Sequence, residues 1–381
     1  MKERDAKTFE KLLLSELSCI RGVKSLASVT LITFDVAIPT SVDTLNRLGQ
    51  EPDGWKVITS KELDGFLGNF REVVGEDLAS FMKDGRLGGS VFTTASSFLG
   101  MKPEMRAVII APIGEENGGR GLADNLTKVT NPARRRLQAE LSKDLGGRIL
   151  FQETVSRGIT PIILSLYQDK GRSMALIRDD QEVKILKETL LGLEEPRLIL
   201  VDARELFQSS YLNETINLAR RPASFVVLGL GAHSVLPRLV DKIKILSGYT
   251  RGEMAFAGNR GEIEALLNSW GGVRNLSELM LETKLRFLLE TDGQNGATLH
   301  FRVGNKVHSA TYAIPKEEVF WGDTTNAGDI FLAVIIKGVM DEPYQGGSTE
   351  DWLYKILENA SKGTLGALKE RANPSKPRKK D

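Results

Sequence analysis

Short apolar runs that read as strands alternate along this chain with longer stretches of helical spacing. That alternation limits the fold more than any other feature. Strands are predicted over 28–34, 106–110, 161–167, 173–178, 198–202, 224–230, 242–246 and 286–290, with helical patterns in most of the gaps. Phe9, Leu12, Leu13, Leu17 and Ile20 repeat at helical intervals and predict a helix ahead of the main domain. Leu63, Phe66, Leu67, Phe70, Val74, Leu78 and Phe81 predict a long amphipathic helix within 58–82. Continuous apolar strands alternating with helices belong in a mainly parallel sheet covered on both faces, so the expected class is α/β. No internal repeat is visible.

Length and composition narrow the class further. At 381 residues the chain suffices for one large α/β domain or two ordinary ones. Hydrophobic content of 41% with 27% charged residues is that of a globular protein. A net charge of +1 gives no reason to invoke nucleic acid or anionic lipid. One cysteine, Cys19, excludes a disulfide within the chain and a cysteine-based zinc site. With only His233, His300 and His308, a histidine metal cluster is not expected. No signal peptide or spanning segment is read, so cytoplasm is the expected compartment, with neither nucleic acid nor membrane as a partner.

The stretch Trp321-Gly322-Asp323-Thr324-Thr325-Asn326-Ala327-Gly328-Asp329-Ile330-Phe331 is a small-residue turn opening into an apolar helix. The first N–H groups of a helix lack intrahelical partners and lie at the positive end of its dipole, so they suit an anion. Asn326, Ala327 and Gly328 leave little side chain in the way, and Asp329 at the mouth can take a proton from a hydroxyl. An anion cradle beside a base is the minimum equipment for phosphoryl transfer. An N-capped turn between strand and helix is the structural alternative.

This stretch resembles the C-terminal signature of the ribokinase-like (pfkB) sugar kinases, usually Asp-Thr-x-Gly-Ala-Gly-Asp, with Asn326 where that family mostly has Gly. Gly88-Gly89-Ser90, leading through Thr93, Thr94 and Ala95 to Leu99-Gly100, is similar to the family's N-terminal Gly-Gly signature, and 113–119 to its Gly-acidic-acidic turn. Segment 160–178 resembles the β segment associated with the lid. Thr291-Asp292-Gly293-Gln294-Asn295-Gly296 resembles the turn that lines the nucleotide site. The family's Asn-x-x-Glu motif is sought at Thr250-Arg251-Gly252-Glu253, with Thr250 in place of Asn. Thr40-Ser41-Val42-Asp43-Thr44-Leu45 resembles a pattern of the ADP-dependent branch, whereas the 323–329 signature looks like the ATP-dependent one.

The resemblance implies a ribokinase-like domain over 25–371, with lid segments near 36–87 and 160–179. A helical extension at 1–24 precedes it, and a basic, disordered tail at 372–381 follows it. It implies a kinase acting on a sugar, sugar phosphate or nucleoside, with ATP or ADP as donor and Mg²⁺ as cofactor; a homodimer is allowed for. Asp329 is the implied general base, and the amides of Asn326, Ala327 and Gly328 form the anion hole. Gly88 and Gly89 hold the acceptor with Asp43 or Asp35, and Thr291, Gly293, Gly296, Asp323 and Thr324 line the nucleotide. Glu253 is the implied magnesium carboxylate.

Two readings from other classes stand beside this one. Asn326 and Thr250 at two consensus positions are compatible with a ribokinase-fold protein that binds without turnover. The strand at 224–230 followed by Gly229-x-Gly231-x-x-Ser234 approaches a dinucleotide-binding fingerprint. It lacks the third Gly, and no acidic residue follows near the distance expected for a ribose contact, so a nicotinamide-dependent oxidoreductase is remote, and His233 is expected to be packed or exposed. Arg134-Arg135-Arg136 reads as a solvated helix face, and no function is assigned to 126–150.

Overall fold

A computed structural model describes residues 3–30, 33–50, 55–82, 85–114, 149–156, 161–168, 171–177, 197–320 and 326–372, with Arg135 and Glu195. Several expectations lie outside the described residues: Asp323 and Thr324, the turn at 115–119, Asp169 and Lys170, Arg134 and Arg136, most of 126–150, and the tail from 373.

The chain opens with helix α1 (Glu3–Arg21), whose Leu13, Leu17 and Ile20 lie on one buried face. Strand β1 (Ser25–Val29) enters the main sheet and β2 (Thr33–Pro39) a second one. The predicted single strand at 28–34 is therefore two, because the chain changes sheets where the apolar run looks continuous. There follow α2 (Val42–Arg47), β3 (Trp55–Ile58), α3 (Ser60–Val74), α4 (Leu78–Phe81), β4 (Arg86–Gly88) and α5 (Ser90–Met101). The long helix expected within 58–82 is thus two helices, interrupted at the left-handed Gly75, and Ile58 ends β3 ahead of them.

Strands β5 (Arg106–Gly114), β6 (Ile149–Ser156), β7 (Ile162–Gln168), β8 (Gly171–Ile177) and β9 (Arg197–Asp202) come next. Helix α6 (Ser209–Ala219), β10 (Ser224–Gly229), α7 (Val240–Thr250), β11 (Met254–Asn259), α8 (Arg260–Trp270), α9 (Leu276–Thr283) and β12 (Phe287–Thr291) continue the alternation. The chain closes with β13 (Ala297–Val303), β14 (Lys306–Tyr312), α10 (Ala327–Asp341) and α11 (Thr349–Ala372). The strand expected at 242–246 belongs to α7. Its Val240, Ile243, Leu246, Ser247 and Thr250 recur at helical spacing on the buried side, and that period outweighs the short apolar run.

Among the described residues the main sheet has nine strands, in the order β14-β13-β12-β11-β10-β9-β1-β5-β6. Pairing is parallel from β6 to β12, and only β13 and β14 join antiparallel. One face packs on α1, α5, α10 and α11, the other on α6 to α9, and each interface is a separate apolar core. β1 and β9 are buried along their whole length, as strands covered on both faces must be.

The second sheet, β3-β8-β7-β2-β4, is built from 33–88 and 162–177. Leu63, Phe66 and Phe70 of α3, with Leu78 of α4 and Met82, pack into one core with Val36, Ile38, Ile162 and Leu164. Burying five such side chains is worth about 8–15 kcal/mol before entropy, so α3 and α4 are fixed to the back of this sheet.

A candidate active site at the carboxyl edge of the sheet

In a parallel sheet all strands end on the same edge, and ligands bind at that edge. β9 ends at Asp202, β10 at Gly229, β11 at Asn259 and β12 at Thr291, so these four residues share it. A cleft of about 450 Å³, open mouth included, lies between this edge and the second sheet. The main domain lines it with Gly89, Ser90, Asp202, Arg204, Glu205 and Phe207, and the second sheet with Thr33, Val57, Ile163 and Leu176.

The register explains the second sheet's contribution. Val57 pairs with Leu176, Leu176 with Ile163, and Ile163 with Asp35, so all four stand in one cross-strand row. Side chains in one row share a face. The row therefore presents three apolar side chains and then a carboxylate. Asp35 accepts a hydrogen bond from Thr33 Oγ1 at 2.6 Å and lies against Gly88, where an added Cβ would sit 1.9 Å from Asp35 Oδ2. Only a residue without a side chain allows that approach. Asp43, the other candidate, is exposed in the first turn of α2, outside this row.

Asp329 stands in the first turn of α10, whose N-cap residue Asn326 adopts φ 63 and ψ 11 and makes no side-chain capping bond. Asn326 thus takes the left-handed conformation that a glycine would take at this turn. Asp329 is ringed by protein atoms although part of its surface reaches solvent. Burial is the main cause that pushes its carboxyl up to about 7; the charges of Asp202 and Asp35 add to the rise, whereas Arg204 and a hydrogen bond from Ser90 oppose it. A carboxyl poised near neutrality beside a cleft is suited to general base work.

Arg204 occupies the centre of this group. The sequence Asp202-Ala203-Arg204-Glu205 forms a capping box at the start of the 3-10 turn Ala203–Phe207, which turns the chain sharply after β9. Arg204 Nε donates to Asp202 Oδ1 at 2.8 Å, Nη2 to Asp202 Oδ2, and Nη2 also to Ser90 Oγ at 3.1 Å. Burial works most strongly against the guanidinium charge, but the Asp202 carboxylate, with Asp329 and Glu205 adding to it, offsets that and raises the Arg204 pKa. The loop after β10 seals the pair from behind. A Cβ on Gly231 would lie 2.8 Å from Asp202 Oδ1 and 2.9 Å from Arg204 Cγ. Close packing on this ion pair and a φ of +82 account for glycine at 231, whereas Gly229 has only an ordinary contact with the Val201 carbonyl; His233 beyond them is exposed.

Glu253 corrects an expectation. It precedes β11 and so lies at the amino edge of the sheet, a full strand away from the cleft, roughly 17–20 Å. There it receives Arg286 Nη2 at 2.8 Å and a hydrogen bond with Cys19, on the side covered by α1. The Asn-x-x-Glu order sought at 250–253 stands instead at Asn259-Arg260-Gly261-Glu262, where β11 passes into α8. Asn259 Oδ1 accepts from the Glu262 N–H at 3.0 Å, and Glu262 Oε2 accepts from the Asn259 N–H at 2.9 Å. Glu262 is 8% exposed, and burial leads the causes that raise its carboxyl pKa, with Asp202 adding to the rise. Thr250 is the buried last residue of α7, bonded to the Ser247 carbonyl at 2.9 Å, and is no substitute for that Asn.

The structure also places Thr291, Gly293 and Gly296 together, in the turn from β12 to β13, beside Asn259 on the carboxyl edge. Ser90, Asp202, Arg204, Asn259 and Glu262 were not among the residues expected from sequence. The signal available for Asp202 was its place at the end of the apolar run Leu198–Val201, and for Glu262 an Asn-x-x-Glu spacing nine residues after the place chosen.

Compared as a sequence, the chain matches no protein-family model and no curated protein. Compared as a structure, it is similar to adenosine kinase from Anopheles gambiae in complex with P1,P4-di(adenosine-5) tetraphosphate, with a TM-score of 0.62 at 15% identity, covering 92% of this chain and 96% of that one. Adenosine kinase from Sinorhizobium meliloti gives a TM-score of 0.61 at 13% identity over 92% and 99%. A probable sugar kinase from Rhizobium etli CFN 42 gives 0.61 at 15% over 92% and 98%. The fold is ribokinase-like. On this ribokinase-like fold the cleft between the two sheets is lined by both of them; Ser90 and Arg204 line it, Asp329 lies close enough to both and to Asp35 for their charges and polar groups to bear on its carboxyl, and Asp35 packs on Gly88.

Proposed function

We propose that this protein is a kinase that moves the γ-phosphoryl group of ATP to a hydroxyl of a nucleoside or nucleoside-like sugar. The observation that carries the proposal is Asp329 in the first turn of α10, beside a left-handed Asn326 and the side-chain-free Gly328. Asp329 removes the acceptor proton, and the backbone amides of 326–329 neutralise charge on the transferring group, the work on which phosphoryl transfer mostly depends. Asp35, with the backbone of Gly88 and Gly89, holds the acceptor hydroxyls. The row Val57–Leu176–Ile163 offers a flat apolar wall that suits a heterocyclic base better than a second polar sugar. That adenosine kinases are among the similar structures supports the same acceptor class. Thr291, Gly293 and Gly296, with Asp323 and Thr324, line the donor nucleotide.

Among the described residues, no three carboxylate, histidine or cysteine side chains gather into a metal cage. The donor set instead fits Mg²⁺, which keeps several waters and takes its remaining ligands from phosphates and one or two carboxylates. Glu262, buried at the same edge, is the carboxylate that would hold such an ion, and bound Mg²⁺ would supply neutralisation of donor phosphate charge.

An acceptor-by-donor panel tests the reading: adenosine, other nucleosides, free pentoses and hexoses, and sugar phosphates, each with MgATP and MgADP. Acceptor-stimulated loss of ATP with a nucleoside is expected. Binding of nucleosides by calorimetry without turnover in any pair would sink the kinase proposal and leave a non-catalytic binding protein.

A further inference from the structure

The cleft is divided by chemical character as well as by sheet. On the second sheet the row Val57–Leu176–Ile163 is apolar, and Asp35 follows Ile163 in that row. Asp35 packs on Gly88, the residue before Gly89 and Ser90 of the main-domain lining. Asp202 and Glu205 line the cleft with Arg204, and the two carboxylate residues are only 3% and 5% exposed. Glu205 Oε1 accepts from the hydroxyl of Thr30, which leads into β2, so Glu205 is tied to the Asp35 side. Asp35, Asp202 and Glu205 thus gather with a single guanidinium on one side of the cleft, and aliphatic side chains occupy the other.

Among the described residues, Arg204 is the cation of this lining, and it is already held. Its Nε donates to Asp202 Oδ1 at 2.8 Å and its Nη2 to Oδ2, and its backbone N–H reaches Oδ1 at 2.8 Å. A Cβ on Gly231 would lie 2.8 Å from that same oxygen, so the pair is closed in from behind. A two-point grip of this kind turns the fork of the guanidinium toward a carboxylate. Swinging it toward a substrate phosphate would strip the buried Asp202 of its charged partner, which is costly. Asp35 accepts from Thr33 Oγ1 at 2.6 Å, and Glu205 also from the Asp202 N–H at 3.4 Å. Hydroxyl and amide donors satisfy lone pairs without cancelling a carboxylate's charge.

We propose that the cleft selects its acceptor by charge: it takes a neutral or cationic hydroxyl-bearing acceptor and rejects one that already carries a phosphate. This rests on the reading of the cleft as the acceptor site of a kinase. A phosphate beside Asp35 meets carboxylates, and like charges brought together at a site are a strong means of rejecting a wrong partner. A phosphate against Val57 and Leu176 meets aliphatic surface and loses water without a partner. Sugar phosphates are thereby excluded as acceptors, and the reaction is the first phosphorylation that its acceptor receives.

The test is calorimetry on the full-length protein with adenosine, 3′-amino-3′-deoxyadenosine below the pKa of its amine, and adenosine 3′-monophosphate. The three share a base and differ in charge where the acceptor hydroxyls meet Asp35. The amine is expected to bind at least as tightly as adenosine, and the 3′-phosphate at least about a hundredfold more weakly. A phosphate is also larger than a hydroxyl, so size and charge are separated in two ways. Raising the salt concentration about tenfold should narrow the gap several-fold. Glu205→Gln, which keeps the shape and removes a charge, should narrow it by about threefold to tenfold. Salt serves alone if that variant does not fold. A 3′-phosphate that binds as tightly as adenosine overturns the proposal. So does a gap that salt leaves unmoved, because exclusion would then be by shape. The kinase reading fails separately: adenosine bound without turnover with MgATP would sink that reading and leave the order of the three affinities as it stands.

Discussion

The two edges of the main sheet each carry a knot of buried charge. At the amino edge Arg286 meets Glu16 and Glu253, with Cys19 and Arg302 beside them. At the carboxyl edge Arg204 meets Asp202, with Ser90, Asp329 and Glu262 around them. Both contain an arginine held by carboxylates, and both contain a glutamate whose pKa burial raises. They differ in what covers them. Helix α1 lies over the first, whereas the second opens on a cleft lined by Gly89, Ser90, Asp202 and Arg204. Perturbed carboxylates alone therefore do not distinguish the two edges of this molecule; the opening beside the second one does, and the proposed site is the one that has it.

The comparison is sharpest at Asp329. Asp329→Asn should keep the fold and ligand binding while lowering kcat by ~10²–10⁴, the usual weight of a positioned general base, as initial rates on the responsive acceptor would show. For the wild type, kcat/KM should fall as pH drops through about 7, because the free enzyme's base then gains its proton. The stability effect has the opposite sense. A carboxyl whose folded pKa exceeds its unfolded value binds more protons folded than unfolded, so stability falls as pH rises between the two values. Asp329→Asn should accordingly unfold at a higher temperature than wild type at pH 8, with the gap closing as pH falls from 7 toward 4. A gap independent of pH would show that Asp329 does not titrate in this range.

The two glutamates that flank β11 give the next largest contrast. Glu262→Gln should raise the magnesium concentration needed for half-maximal activity by about 10–100-fold. Glu253→Gln should leave that requirement unchanged and instead cost about 1–3 kcal/mol in denaturant unfolding, because Arg286 loses a charged hydrogen-bond partner. The reverse pattern would exchange the roles of the two edges.

Asn326→Gly is a smaller change. Asn326 already holds the conformation a glycine would adopt, so activity should stay the same or rise by less than about tenfold, and a fall in kcat would reveal a contact from its side chain to the ligand. The smallest effect is expected at Cys19, whose thiol burial and the nearby Glu253 push up to about 12. Native protein at pH 8 should react with a thiol reagent far more slowly than unfolded protein, and alkylation at the rate of a free thiol would mean that the amino edge is open after all.

Much of the fold was legible in the sequence because its strands are apolar on both faces. β5, β7, β8, β9, β10 and β12 all fall within a residue or a few of their expected places. β11 was missed for a physical reason: Met254-Ala-Phe-Ala-Gly-Asn is rich in small residues that pack where Leu230 and Glu262 approach closely, so it carries little strand signal. That miss displaced the Asn-x-x-Glu motif by nine residues, from a segment that ends a helix to the end of a buried strand.

What the sequence alone determined is local. The apolar period specifies the elements, and the small residues of 326–328 with Asp329 specify a helix start shaped for an anion, because both depend on neighbours along the chain. Which of Asp35 and Asp43 stands in the row whose apolar members line the cleft, which glutamate stands at the carboxyl edge, and that Arg204 comes near Asp329 were decided only by tertiary structure. Each of those contacts joins residues on different elements, and Ser90, Arg204 and Asp329 are more than a hundred positions apart in the chain. Their meeting depends on strand order and helix packing, which no spacing along the sequence records.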